Sequence, residues 1–353
     1  FRGARLELLQ VSYQRFQVAL NGSCVKVHFT QGSVDDAVLV GTEAHLTGLG
    51  ALLLTLAALF LLWNLRAPVS FILTLRAEKL AALILVGAAT GVATTLFQTV
   101  AQTRLLTPGI VGFDALFVFL QTALVFTLGG VGYVTLPAFG SFLLEAAILV
   151  IAAVTLFGVI LRNGASDMVR VVLTGVILGI LFRGLAGFMQ RILDPSEFAV
   201  VQQAMFVSFA SVRSDQLAVA GVTLGACLVA AIRLAPRLDV AALGRDSARS
   251  LGLDYDRFVL LVLGLVAGLV AVSTALVGPI TFLGLLAASL AHAVIRSHRH
   301  VLLIPASAGI GASILVAGQF VFERVLSMAS TLAVLIEFAG GLLFLVLVLR
   351  RSR

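Results

Sequence analysis

PRLDVAALGRDSARSLGLDYDRFVLLVLGLVAGLVAV (236–272) sets a compact charged segment directly against an apolar run. Within its second half, LLVLGLVAGLVAV (260–272), polar and apolar residues do not alternate. A membrane β-strand would alternate over about ten residues, so the run reads as a helix. LLLTLAALFLLW (52–63) reads the same way. A transmembrane helix needs about 20 mostly apolar residues. Working outward, such stretches are predicted near 47–65, 79–98, 110–129, 138–161, 169–189, 216–235, 257–277, 279–295, 301–322 and 331–350. The expected fold is therefore all-α: a polytopic membrane protein with about ten transmembrane helices. Only 12% of residues are charged, against about 25% in soluble domains.

Residues 47–353 form the predicted membrane domain. Residues 1–46 are mixed and polar, with a strand-like VKVHF (25–29). They lack the basic start, apolar core and small-residue cleavage site of a signal peptide. They are expected to be an N-terminal extension, with a small cytoplasmic appendage as the alternative reading. The prolines, Pro236 and Pro305 among them, are expected at or near span ends, where a missing amide donor does least harm.

A net charge of +7 does not point to nucleic acid, because the basic residues sit in loops. Ten spans place both termini on one side. After residue 46, thirteen Lys/Arg fall on the side of the charged segment and seven on the other. Basic residues concentrate on the cytoplasmic side, so both termini and the segment at 236–256 are expected there, against an anionic lipid surface. Such a charged helical island between two spans reads as a handle gripped by another protein. Asp239 is expected to cap a short helix and Gly252 to end it, leaving Arg245, Asp246 and Arg249 on its polar face.

Secondary transporters place ionisable groups mid-membrane. Here Asp114 and Glu145 lie in the first third of a span, and Glu337 is the deepest candidate. No phosphate-binding G-x-x-x-x-G-K-[ST] loop is present, so the chain is not expected to hydrolyse ATP, and no nucleophile–base pair suggests an enzyme. Cys24 and Cys227 suggest no disulfide framework. His298, Arg299 and His300 read as a solvated basic turn, not a metal site. Neither a cofactor nor a metal is expected. Glycines four apart (Gly87/Gly91, Gly175/Gly179, Gly264/Gly268) are expected to let helix backbones approach closely.

The stretches LAALILVGAATGVATTLFQ (80–98), LGRDSARSLGLDYDRF (243–258) and GPITFLGLLAASLAHAVI (278–295), in that order, resemble the FecCD family of permeases of binding-protein-dependent ABC importers. LAALILVGAATGVATTLFQTVAQTRLLTPGIVGFDALFVFLQT (80–122) keeps the family frame at Gly87, Gly91, Gln98, Pro108 and Gly112, although RLLTP (104–108) replaces its asparagine–proline half. LGRDSARSLGLDYDRF (243–258) is similar to the family's cytoplasmic L-G-x-x-x-A-x-x-L-G segment. GPITFLGLLAASLAHAVI (278–295) is similar to its G-x-I-x-F-x-G-L run, with Ala288 and Ser289 in place of a proline–histidine pair and His292 where an arginine usually sits. The final span, STLAVLIEFAGGLLF (330–344), lacks the family's usual prolines. These variants look most like the branch that carries catecholate or α-hydroxycarboxylate siderophores such as petrobactin, vibriobactin or anguibactin.

The resemblance implies a cobalamin/siderophore importer permease-like bundle in the bacterial cytoplasmic membrane. It implies a second permease subunit, the same or different, two cytoplasmic ATPase subunits and an extracytoplasmic siderophore-binding protein. Its coupling segment would comprise Leu243, Gly244, Arg245, Asp246, Arg249, Leu251 and Gly252. Arg76 and Lys79 match the family's outer basic pair, and Arg324 matches more loosely; all three would meet acidic residues of the binding protein. The fifth span, its outer extension (183–214) and the tenth span would line the pathway. Two alternatives stay open: a gradient-driven secondary transporter built around Glu337, and the same importer class carrying haem or cobalamin.

Overall fold

The computed structural model describes residues 16–20, 23–27, 31–63, 69–162, 168–209, 212–295, 297–324 and 336–342. A short antiparallel hairpin, β1 (Phe16–Leu20) and β2 (Ser23–Val27), pairs Ala19 with Cys24. Among the described residues, everything else regular is helical. The helices are α1 (Gln31–Leu62), α2 (Val69–Ala101), α3 (Asp114–Val134), α4 (Ala138–Arg162), α5 (Met168–Ile192), α6 (Pro195–Met205), α7 (Ser214–Ala241), α8 (Arg245–Ser250), α9 (Tyr255–Val277), α10 (Leu283–Val294) and α11 (His300–Arg324). A single π-helical turn, Gly109–Phe113, leads into α3.

Among the described residues, eight helices are long and apolar enough to cross a membrane. The ninth expected span is the short apolar helix α10, because the chain runs irregularly from Gly278 to Phe282 before it forms. The tenth, 331–350, lies mostly outside the described residues, though 336–342 are helical. Helix α1 begins at Gln31, and its apolar, membrane-length part is His45–Leu62. One expected span limit moves. Pro236 lies inside α7 and not at its end, so the helix carries the first part of the charged segment as its own last turns.

Helix α2 is the hub. It contacts α1, α7, α9, α10 and α11, and Leu83, Val86, Val92, Leu96 and Phe97 are almost fully buried on its different sides. A helix apolar all round is one surrounded by other elements. In lipid the hydrophobic effect does not drive helices together, so close packing must. The α2–α11 seam shows how: a Cβ on Gly87 would lie 2.6 Å from the Gly311 carbonyl oxygen, and one on Gly91 would collide with Ser307. The pair Gly175/Gly179 works similarly for α5, whose backbone meets Val111 and Gly112 of the π-turn. Gly264 touches nothing at that range and Gly268 meets only the Cys227 sulfur, at 3.6 Å, so the third expected pair makes no backbone-to-backbone seam among the described residues.

Candidate coupling site

The charged segment folds as a hooked tip. After α7 ends, Gly244 turns the chain with φ +92° and ψ 168°, a conformation costly for any residue with a Cβ. Helix α8 follows for six residues, and Gly252, at φ +86°, closes it. The Leu253 amide donates to the Ala248 carbonyl at 3.0 Å and the Gly252 amide to Arg249 at 2.9 Å, the paired bonds of a Schellman stop. Ala248 is completely buried and pins α8 down.

Two arginines on α8 converge on one acceptor. Asp256, in the first turn of α9, accepts from Arg245 Nη2 at 3.2 Å and Arg249 Nη2 at 2.6 Å. Its side chain is 47% exposed, so each pair contributes about 1 kcal/mol or less; their effect is to fix the angle between α8 and α9. Around this charged patch Leu243 and Leu251 are 60% and 63% exposed. All seven expected coupling residues therefore fall in this one tip, whose exposed face mixes leucines with Asp246 and Arg249.

The base of the tip departs from expectation. Asp239 lies within α7 and does not cap a short helix of its own. It caps α11: Asp239 Oδ1 accepts from the His300 amide at 2.8 Å and stands 2.6 Å from His300 Nδ1. His300 is correspondingly no solvated turn residue; it is 4% exposed, with Nε2 2.8 Å from Thr99 Oγ1. Of the expected basic turn, 297–299 do form the irregular link before α11.

Arg76, Lys79 and Arg324 gather at the opposite end of the α2–α11 pair. Thr99 near the end of α2 meets the start of α11, whereas Lys79 donates to Glu323 near the end of α11. The two helices are therefore antiparallel, and 20 residues of α2 separate the sites, about 30 Å at helical rise. Glu323 also accepts from Gln319 Nε2 at 2.8 Å. Arg76 caps α1, donating to Leu61 O at 2.9 Å and Trp63 O at 2.8 Å, while Trp63 packs edge-on against Phe320 at 5.7 Å. Arg324 is exposed.

Three carboxylates are candidates for coupling to an ion gradient. Asp114 is buried and accepts from Thr281 Oγ1 at 2.8 Å. Glu145 is buried near the Tyr133 hydroxyl, which donates to Gln121 Oε1 at 2.7 Å. Glu337, the deepest by sequence, is exposed on the bundle surface. Among the described residues, no group of three or more His, Cys, Asp or Glu side chains is placed to hold a metal.

Comparison with known proteins gives the same architecture. In fold the chain is similar to a metal-chelate type ABC transporter solved in an inward-facing conformation, with a TM-score of 0.76 over 87% of this chain and 99% of that one, at 23% identity. In sequence it is 38% identical to the petrobactin import system permease protein YclO of Bacillus subtilis (strain 168), covering 84% of this chain and 93% of that protein. It is 31% identical to the petrobactin import system permease protein FatC of Bacillus anthracis, covering 78% of each. The FecCD transport family matches residues 45–350, nearly the whole membrane domain. The chain, a multi-pass membrane protein, belongs to the FecCD transport family.

Proposed function

We propose that the chain is the permease subunit of an ATP-binding-cassette importer that moves an iron–siderophore complex, of the petrobactin class, across the bacterial cytoplasmic membrane. It does no ATP chemistry itself. Cytoplasmic ATPase subunits grip the tip around α8, an extracytoplasmic siderophore-binding protein docks over Arg76, Lys79 and Arg324, and a second permease subunit, identical or not, completes the pathway. Both termini lie in the cytoplasm. The observation that carries this reading is the separation of two distinct ends along the α2–α11 pair: a hooked tip with exposed leucines and charges, joined to one end through Asp239 and His300, and basic residues at the other. Only a stiff tip can transmit a push from a partner, and α8 is stopped, pinned and cross-bridged.

Support for the cargo comes from YclO and FatC, both named as petrobactin permeases. A gradient-driven transporter is disfavoured by the match to the FecCD family over residues 45–350, a family that the resemblance above identifies with ABC-importer permeases. Haem or cobalamin cargo is separated by which ligand the cognate binding protein retains. The decisive experiment reverses charge at Arg245→Glu and Arg249→Glu together in vesicles that hold the complete importer. ATP hydrolysis uncoupled from chelate uptake is expected; wild-type uptake in the double variant refutes the coupling role of α8.

A further inference from the structure

A tip that is pushed must be braced against the helices it moves, and one chain of side chains does this at its base. Asp239, in the last turn of α7, is followed six residues later by α8. Its carboxylate caps the amide of His300 and faces the imidazole Nδ1. A carboxylate can only accept, so Nδ1 carries the hydrogen between them. The other ring nitrogen reaches Thr99, one turn from the end of α2. Beside this chain Gln102, held at φ +54°, extends its amide to within 3.5 Å of the last carbonyl of α7, at Ala241, and 3.4 Å of the next one, at Ala242. The ends of α7, α11 and α2, which are 61 and 201 residues apart in sequence at the bonds concerned, are thus tied at one level.

Capping alone does not account for the arrangement. Asp239 could cap α11 with any residue at 300, because the bond is to the backbone amide. The buried imidazole holds the same carboxylate oxygen, which the backbone bond does not require. What it adds is a connection onward to α2, the helix that packs against α11 along the Gly87–Gly311 seam and against α9, α10 and α1. We infer that Asp239, His300 and Thr99 are positioning residues for transport: they carry displacement of α8 from α7 into the α2–α11 pair. The inference rests on the coupling role proposed above for α8.

Two substitutions separate bracing from capping. Thr99→Val is close to isosteric and leaves both bonds of Asp239 intact. His300→Ala removes the bridge but keeps the amide that Asp239 caps. The complete importer, with its ATPase subunits and binding protein, is reconstituted in vesicles, and chelate moved per ATP hydrolysed is measured beside the melting temperature and ATPase-to-permease ratio of the complex. Each variant is expected to lower chelate per ATP by about threefold or more, with the ATPase retained at the wild-type ratio. The double variant should lose no more than His300→Ala alone, because both act through one chain. Wild-type transport per ATP in both single variants overturns the inference. So does a fall fully matched by loss of folded, ATPase-bound complex, which assigns the three residues to stability alone. Arg245→Glu/Arg249→Glu in the same assay keeps the two readings apart: if it too leaves chelate per ATP unchanged, the coupling role of α8 fails, and if it uncouples while the Thr99 and His300 variants do not, only the brace fails.

Discussion

Asp256 is the residue on which the geometry of the tip turns, since it alone receives both Arg245 and Arg249. Its half-exposed setting makes a specific separation of effects. Asp256→Ala breaks two pairs and should lower unfolding free energy by no more than about 2 kcal/mol, because water screens both of them. Uptake should nevertheless fall by about threefold or more, since α8 can then swing on its two glycines, with the loss scaling as coupling energies do. Comparing vesicle uptake with a detergent melt checks both halves. Leu251 makes the converse case. Exposed as it is, Leu251→Ala should change stability by about 0.5 kcal/mol or less, yet its side chain burying against a partner is worth about 1.5–3 kcal/mol. Retention of the ATPase on purified permease should therefore weaken by tenfold or more, in round terms about one unit of log affinity. The seven tip residues were legible in sequence because the L-G-x-x-x-A-x-x-L-G spacing keeps them within ten positions. Glu323 and His300 were not, because their partners Lys79 and Asp239 stand 244 and 61 residues away, and single-sequence reading sees only near neighbours. Asp239 was assigned to a cap correctly in kind, but to the nearest helix and not to the one that folds against it.

At the level of helices, the α2–α11 seam should be the least tolerant surface in the bundle. Gly87→Leu places a side chain where the Gly311 backbone already lies, and neither backbone can yield without parting the helices. A loss of about 1–3 kcal/mol is expected from such overpacking, read as a lowered unfolding midpoint in detergent. Gly264→Ala is the control: nothing lies within 4 Å of its added carbon, so the midpoint should hold or rise slightly, as alanine is the better helix former. The spacing of both glycine pairs is the same in sequence, which is why the pattern alone could announce close packing but not which seam uses it. The rough positions of the eight long apolar helices among the described residues were readable because bilayer thickness demands long apolar runs. Helix ends were less so. Hydropathy stops at the membrane surface, whereas α7 continues through Pro236 into the charged segment, held there by Asp239 and Gln102 contacts that no local composition encodes.

Across the whole molecule, the function proposed above assigns two ends about 30 Å apart to different partners. The end proposed to face outward is only partly available as drawn from sequence: Lys79 is committed to Glu323 and Arg76 to the end of α1, while Arg324 is exposed. Electrostatic docking should therefore weigh most on Arg324. Arg324→Glu is expected to slow association of the binding protein by about tenfold at low salt, with the difference shrinking as salt is raised, since such steering acts on the on-rate and is screened. Lys79→Ala should slow it less, because it removes a cation already neutralised and frees Glu323 in exchange. Stopped-flow mixing of binding protein with permease in nanodiscs, across a salt series, measures both. If Lys79→Ala and Arg324→Glu slow docking equally, the Lys79–Glu323 pair must open on encounter, and the basic end acts as one patch with Lys79 released to the partner. If neither changes the rate at low salt, the binding protein meets the membrane protein elsewhere, and the assignment of this end to docking fails while that of the tip at α8 stands.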